Sequence, residues 1–277
     1  MNTTSKLLLA VSLVACAGAY AQTEVMEDIS PEPEAQVREQ SVVTEGETEE
    51  LHGFADVAFA SMYVTSGAQG AYASLQPNIE LEYYGFYAGI WANLPFDSQQ
   101  NNPSGPFNDE YDIYAGYGIG LLEDDLLTAS FGGTYYWYPE SGSTPNRTWE
   151  INFGLLADVL LTPGIEVNYD FNLKQLELII VSSYDYDLSP YTVDGLGVSV
   201  GAAFGYLQAQ DPDSDQVPGS QQDSYFYVEL ALDLTWAYND HFLVYAGPRF
   251  STNDNGAANL AGRATNVWWG LGANLSF

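Results

Sequence analysis

Lysine and arginine are scarce here: six residues against 37 aspartates and glutamates in 277, a formal net charge of −31. Affinity for a phosphate backbone comes from clustered cations, so a nucleic-acid binder is excluded. No apolar run reaches the roughly 18 residues of a helical membrane span. Cys16, His52 and His241 are the whole supply of cysteine and histidine, which leaves little for metal or nucleophilic chemistry. No catalytic residue, metal site or cofactor is assigned. What is abundant is tyrosine, at 21 residues, and glycine, at 26, and aromatics make up 14% of the chain. That aromatic content rules out a disordered acidic protein and points to an all-β one.

Residues 1–21 carry Lys6, an apolar stretch Leu7–Ala15, and Ala19-Tyr20-Ala21 before Gln22. This order reads as a signal peptide with an A-x-A cleavage site, too short to cross a bilayer. Leu13-Val14-Ala15-Cys16 offers a rival, a lipoprotein box that would leave Cys16 acylated; cleavage after Ala21 is the preferred reading. On either reading the chain leaves the cytoplasm, and its folded part has no disulfide framework. Residues 22–50 hold ten acidic residues against Arg38, with Pro31 and Pro33 and no aromatic. Such a leader buries too little apolar surface to offset its ordering entropy, so it is expected to be a disordered, solvated spacer. Residues 51–277 form the folded domain and keep 27 acidic residues against four basic ones.

From Gly53 onward the hydrophobic period is two, the mark of strands with one apolar face. Phe226, Val228, Leu230, Leu232, Leu234 and Trp236 alternate with Tyr225, Tyr227, Glu229, Ala231, Asp233 and Thr235. The same pattern places Tyr111, Ile113, Ala115, Tyr117 and Ile119 against Glu110, Asp112, Tyr114 and glycines. Strands are expected near 53–65, 73–84, 86–94, 109–121, 125–138, 148–160, 164–171, 174–186, 193–207, 223–237, 241–250 and 266–277. Their even number and lengths suit a single antiparallel up-and-down transmembrane β-barrel of about 12 strands. Links alternate between short turns (Tyr84-Gly85, Leu161–Pro163, Tyr238–Asp240) and longer polar segments (95–108, 139–147, 208–222, 251–265). The short links 66–72 and 172–173 depart from that alternation.

A soluble barrel would alternate too, with its apolar face inward; a membrane barrel inverts the faces. Three features favour the membrane. Long apolar stripes end in Tyr63, Tyr83, Trp137, Trp149, Trp236 and Trp269, as aromatic girdles do. The other face is rich in glycine and acids, and the chain stops on an aromatic, Phe277. The expected partners are therefore outer-membrane lipid, the assembly machinery through the terminal strand ending at Phe277, and small solutes.

Residues Gly53–Gly67 (GFADVAFASMYVTSG), Gly85–Phe96 (GFYAGIWANLPF), Glu110–Gly118 (EYDIYAGYG) and Tyr135–Pro139 (YYWYP) resemble the TorF family of porins. The resemblance runs across most of 53–277 and implies an outer-membrane β-barrel with a pore role and an undefined substrate. The family pattern reads Tyr-Val-x-Arg-Gly at the first loop. Here Tyr63-Val64-Thr65 is followed by Ser66-Gly67, so any selectivity that arginine confers is absent.

Projecting the strands inward puts Glu80, Glu82, Glu110, Asp112, Glu150, Asp158, Glu166, Asp170, Glu177, Glu229 and Asp233 on the lumen face. Arg147 and Arg263 fall in loops, Lys174 and Arg249 near strand ends. Acidic rings concentrate cations and repel anions over a Debye length, about 8 Å at physiological salt. The expectation is a cation-preferring pore for small hydrophilic solutes. The alternative is a non-conducting barrel closed by inward Tyr114, Tyr225, Tyr227 and Trp268, with a structural or loop-binding role. Inward Gly116, Gly118, Gly120, Gly201 and Gly205 are expected to serve sheet curvature. Asp211, Asp213 and Asp215 open like a calcium loop, but Gln216 and Gln222 stand where that loop needs Gly and Glu. His241 falls in a turn with no nucleophile motif, and His52 at the leader junction. Intact-mass measurement of protein from cell envelopes is expected to give a chain starting at Gln22; a lipid-modified Cys16 would establish the rival.

Overall fold

The computed structural model describes residues 51–96, 109–122, 125–139, 146–208, 224–254 and 264–277. The signal segment, the acidic leader and the Asp211–Asp215 loop lie outside them. Among the described residues there are fourteen strands. They are β1 (His52–Ala60), β2 (Tyr63–Thr65), β3 (Ala68–Ala71), β4 (Ser74–Tyr83), β5 (Phe86–Pro95), β6 (Glu110–Gly120) and β7 (Leu127–Trp137), followed by β8 (Arg147–Ala157), β9 (Gly164–Asp170), β10 (Gln175–Asp187), β11 (Leu196–Gln208), β12 (Tyr225–Asn239), β13 (Phe242–Asn253) and β14 (Thr265–Ser276). Twelve of them close into an antiparallel barrel, each beside its chain neighbour, with β14 returning to β1. Strands β2 and β3 form a separate two-stranded sheet.

Closure uses the chain's last residue. The Gly53 amide donates to the Phe277 carbonyl at 2.8 Å, and the Phe277 amide donates back to Gly53 at 2.9 Å. Every strand of the barrel thereby has a partner on both sides, which is the condition for strands to stand in hydrocarbon. The faces follow the inverted assignment. On β12, Phe226, Leu230, Leu232, Leu234 and Trp236 are exposed, and Tyr225, Tyr227, Glu229, Ala231 and Asp233 are buried. Phe131, Trp149, Ile165, Trp269 and Leu271 repeat the outward apolar pattern around the ring. Tyr83, Trp137, Trp149, Trp236 and Trp269 lie on that outer surface as expected of a girdle. Tyr63 does not: it is only 1% exposed.

The reason is that β1 ends at Ala60 instead of continuing to residue 65. The next residues leave the wall and return as the β2–β3 hairpin, whose strands are almost wholly buried. Ala60, Val64 and inward-facing Trp268 pack together at its root, with Met62 against them. This segment reads in sequence as the tail of a strand plus a short outer link. Apolar, β-branched and small residues suit a buried hairpin equally well, and period alone does not separate the two.

Several inward glycines also serve packing. Four of them stand directly across the ladder from a tyrosine: Gly89 from Tyr114, Gly116 from Tyr87, Gly205 from Tyr227 and Gly272 from Tyr245. In each pair the ring lies over its glycine, where a Cβ would collide with it. These glycines are sockets for aromatic side chains of the adjoining strand, an arrangement that shields glycine backbone in sheets. Gly118 has nothing within 4 Å of where a Cβ would sit. Gly205→Ala and Gly116→Ala are therefore expected to destabilise the barrel by about 1–3 kcal/mol through overpacking, and Gly118→Ala to have little effect. The temperature at which the compact, folded band is lost on gel electrophoresis checks this.

Candidate functional site: an acid-lined lumen bridged by a hairpin

Alternation along each strand carries the acids inward. Glu80, Glu110, Asp112, Glu166, Asp170, Glu177, Glu229 and Asp233 are all buried. Glu150 and Glu82 share that face but are half-buried, Glu82 at the rim where the chain begins and ends. Asp158 falls just past β8, in the turn at that same rim, and is also half-buried. Two inward acids escape the sequence projection, Asp56 on β1 and Asp185 on β10. In β1 a phenylalanine sits on each face, Phe54 inward and Phe59 outward, so hydrophobicity does not mark the lumen side. Asp185 was legible, being an even number of residues from Glu177 on the same strand.

Tyrosine hydroxyls meet many of these carboxylates. Tyr136 donates to Glu150 Oε1 at 2.9 Å, Tyr138 to Glu110 Oε1 at 3.0 Å, Tyr227 to Glu177 Oε1 at 2.8 Å and Tyr245 to Asp56 Oδ1 at 3.1 Å. Tyr114 donates to Asn78 Oδ1 at 3.0 Å. The same rings that fill glycine sockets thus supply hydrogen bonds to groups whose burial would otherwise be costly. Asp170 has a local duty as well, accepting the Asn172 and Leu173 amides at 2.8 and 2.6 Å to form the β9–β10 turn.

Arg249 is not near a strand end. It lies inside β13, faces the lumen, and grips Asp233 with both terminal nitrogens at 2.7 Å. Among the described residues it is the one lysine or arginine that points into the barrel. This fork geometry matches a carboxylate on two bonds, which makes the pair strong where water is excluded.

The β2–β3 hairpin crosses this lumen. At one end Tyr63 lies against Trp91 of β5, ring centres 5.9 Å apart, and interacts with Glu110 of β6. At its tip the Gly67 amide donates to Glu229 Oε1 of β12 at 2.6 Å, and Asn253 Nδ2 of β13 donates to the Gly67 carbonyl at 2.8 Å. Strands β6 and β12 stand six places apart in the ring of twelve, so the hairpin joins opposite walls. Its turn needs left-handed backbone at Ser66 (φ 47°) and Gly67 (φ 71°). A Cβ at Gly67 would also run into the Tyr227 side chain, so both conformation and space demand glycine there. Ser66 is buried at this tip.

Among solved structures, the KdgM porin superposes with a TM-score of 0.50 at 10% identity, over 82% of this chain and 99% of that one. An outer-membrane channel from Pseudomonas putida F1 gives 0.51 at 9% identity, over 90% and 100%. The fold is that of these outer-membrane barrels. No protein-family model and no curated protein sequence matches the chain. Among the described residues, no group of three or more His, Cys, Asp or Glu side chains converges to hold a metal ion.

Breaking the Arg249–Asp233 pair from one side strands a buried charge. Arg249→Met is expected to cost about 3–5 kcal/mol of stability, with much of that recovered in the double variant that adds Asp233→Leu. Urea unfolding of the detergent-refolded barrel, followed by tryptophan fluorescence, checks this.

Proposed function

We propose that this protein is an outer-membrane porin-like channel of the TorF type, through which small hydrophilic solutes diffuse passively with a preference for cations. The observation that carries the reading is the inversion of faces: exposed apolar side chains outside a closed barrel, carboxylates inside. An apolar outer belt suits lipid, and a polar interior suits passage of solutes. Export through the N-terminal signal and recognition of the Phe277 strand by the assembly machinery belong to the same reading.

The acids supply selectivity. Walls of a twelve-stranded barrel lie closer together than those of larger porins, so the field of eleven or more inward carboxylates is felt across the bore. Anions are repelled, and cations are concentrated at the constriction.

A second reading has support of its own. Glu110 and Glu229 have almost no exposed surface, and the hairpin bridges the lumen between them. Side chains so enclosed line a closed passage, as in a non-conducting barrel whose outer links do the binding. The hairpin is held at its tip by hydrogen bonds of Gly67 and by its packing on Tyr227, and the two readings differ in whether it moves.

Single-channel recording in a planar bilayer under a KCl gradient separates them. The expected result is discrete steps with a reversal potential favouring K⁺, weakened by Glu110→Gln with Asp112→Asn. Replacing residues 61–73 with a tight turn is expected to raise the conductance. A barrel that inserts folded yet passes no current, with or without the hairpin, would overturn the channel in favour of the second reading.

A further inference from the structure

One stretch of lumen wall holds carboxylates that no described lysine or arginine compensates. It spans β8, β9 and β10, and the strand register arranges it in three levels. Nearest the rim remote from the termini, Glu150 stands across from Asp170. One inward position deeper, Asn152 is level with Asn168, which is level in turn with Glu177. Deeper again, Glu166 stands between Gly154 and Ile179. Successive inward positions on a strand are about 7 Å apart, so negative charge recurs down this wall as a ladder.

The ladder is acceptor-rich. Glu150 is repelled by Glu177, Asp170 and Glu166, and Glu166 by Glu177. Arg249 is committed to Asp233 on the β12–β13 wall. Glu166 is buried and accepts no hydrogen bond from a described residue. Asn168 and Asn152, 1% and 5% exposed, both leave Oδ1 without a partner. Asn168 spends its Nδ2 on Glu177 Oε2 at 3.3 Å, so its carbonyl oxygen is a second acceptor in the same cluster. Buried acceptors without donors, beside carboxylates without cations, call for a ligand that brings both donors and positive charge. The three levels are too far apart to converge on a bare metal ion, in keeping with the absence of any such cluster among the described residues.

We propose that the β8–β10 wall is a binding site for a linear aliphatic polyamine lying along β9. Each ammonium group brings several N–H donors and one charge, and short methylene spacers reproduce the step between levels. Glu150, Glu177 and Glu166 each take one ammonium, and the Asn152 and Asn168 carbonyls accept the remaining N–H groups. The methylenes lie against the Tyr136 and Tyr227 rings, whose hydroxyls already point at Glu150 and Glu177. The hairpin segment 61–73 carries no charge and so adds no competing cation. This inference rests on the cation-preferring channel reading for its physiological sense, though the site itself is tested without it.

Spermidine binding to the full mature chain, folded in detergent, is the test, measured by calorimetry at low and physiological salt. The expected result is saturable binding that Mg²⁺ at equal charge concentration does not match. Glu166→Gln and Glu150→Gln each weaken it by about tenfold or more, whereas Asp240→Asn, an equal charge change in the β12–β13 turn, leaves it unchanged. Retention of the compact band on gel electrophoresis verifies that each variant is folded. Binding that tracks total charge regardless of position, or that Mg²⁺ reproduces, overturns the site. In the bilayer, a K⁺ current that spermidine neither blocks nor follows removes the polyamine and keeps the channel. Specific binding in detergent with no current keeps the site and removes the channel.

Discussion

Everything in this barrel depends on backbone pairing that leaves no open edge. In hydrocarbon an unpaired amide or carbonyl costs several kcal/mol, so a sheet must close or stay out of the membrane. Here the ring closes through β1 and β14, and even the terminal residue exchanges two backbone bonds with Gly53. With the backbone satisfied, side-chain chemistry is free to invert: apolar residues face outward and acids inward. The same inversion in a water-soluble barrel would expose its hydrophobic face and bury its charges with nothing gained.

A narrow interior then has to be filled, and tyrosine fills it. Each of four rings rests on a glycine of the next strand, and two of them, Tyr227 and Tyr245, hydrogen-bond a carboxylate through their hydroxyls. Glycine and tyrosine are thus two halves of one packing device. The abundance of both in the composition has this common cause. The hairpin adds a second filling device from the chain between β1 and β4. Its tip is fastened to Glu229 and Asn253 by backbone groups of Gly67, so a lumen acid doubles as a structural acceptor.

Much of the fold was legible because period two leaves little choice about faces. Alternation marks the strands and separates their two faces; the short links suit antiparallel order, and the aromatic stripe ends with the glycine- and acid-rich opposite face point the apolar side outward. The hairpin was not legible. Residues 61–73 contain no charge and no strong turn signal beyond Ser66-Gly67, so nothing local distinguishes a buried hairpin from an outer link. What decides it is tertiary: the Glu229 and Asn253 acceptor and donor, and the space over Tyr227, lie more than 150 residues away in sequence. The position of Arg249 was missed as well. β13 runs on to Asn253, past the expected end at 250, which moves Arg249 from near the strand end into its interior.

The distribution of charge inside the ring is uneven, and that unevenness has consequences. On the β12–β13 side Arg249 neutralises Asp233, and the Gly67 amide and the Tyr227 ring crowd the space beside Glu229. On the β8–β10 side no described cation answers the carboxylates, and the hydrogen bonds that reach them come from neutral groups: Tyr136, Tyr227 and Asn168 side chains and the Asn172 and Leu173 amides. Neutral donors soften the desolvation of a carboxylate but leave its charge. The hairpin joins β5 and β6 to β12 and β13, and the acidic β8–β10 arc lies on the wall between these two anchorages. Whatever passes or lodges in the lumen therefore meets a compensated, occupied wall on one side and an uncompensated, acceptor-rich one on the other. In the proposed channel that asymmetry would favour solutes with positive charge spread along their length over compact ions, because a line of separate carboxylates stands in place of one converging cage.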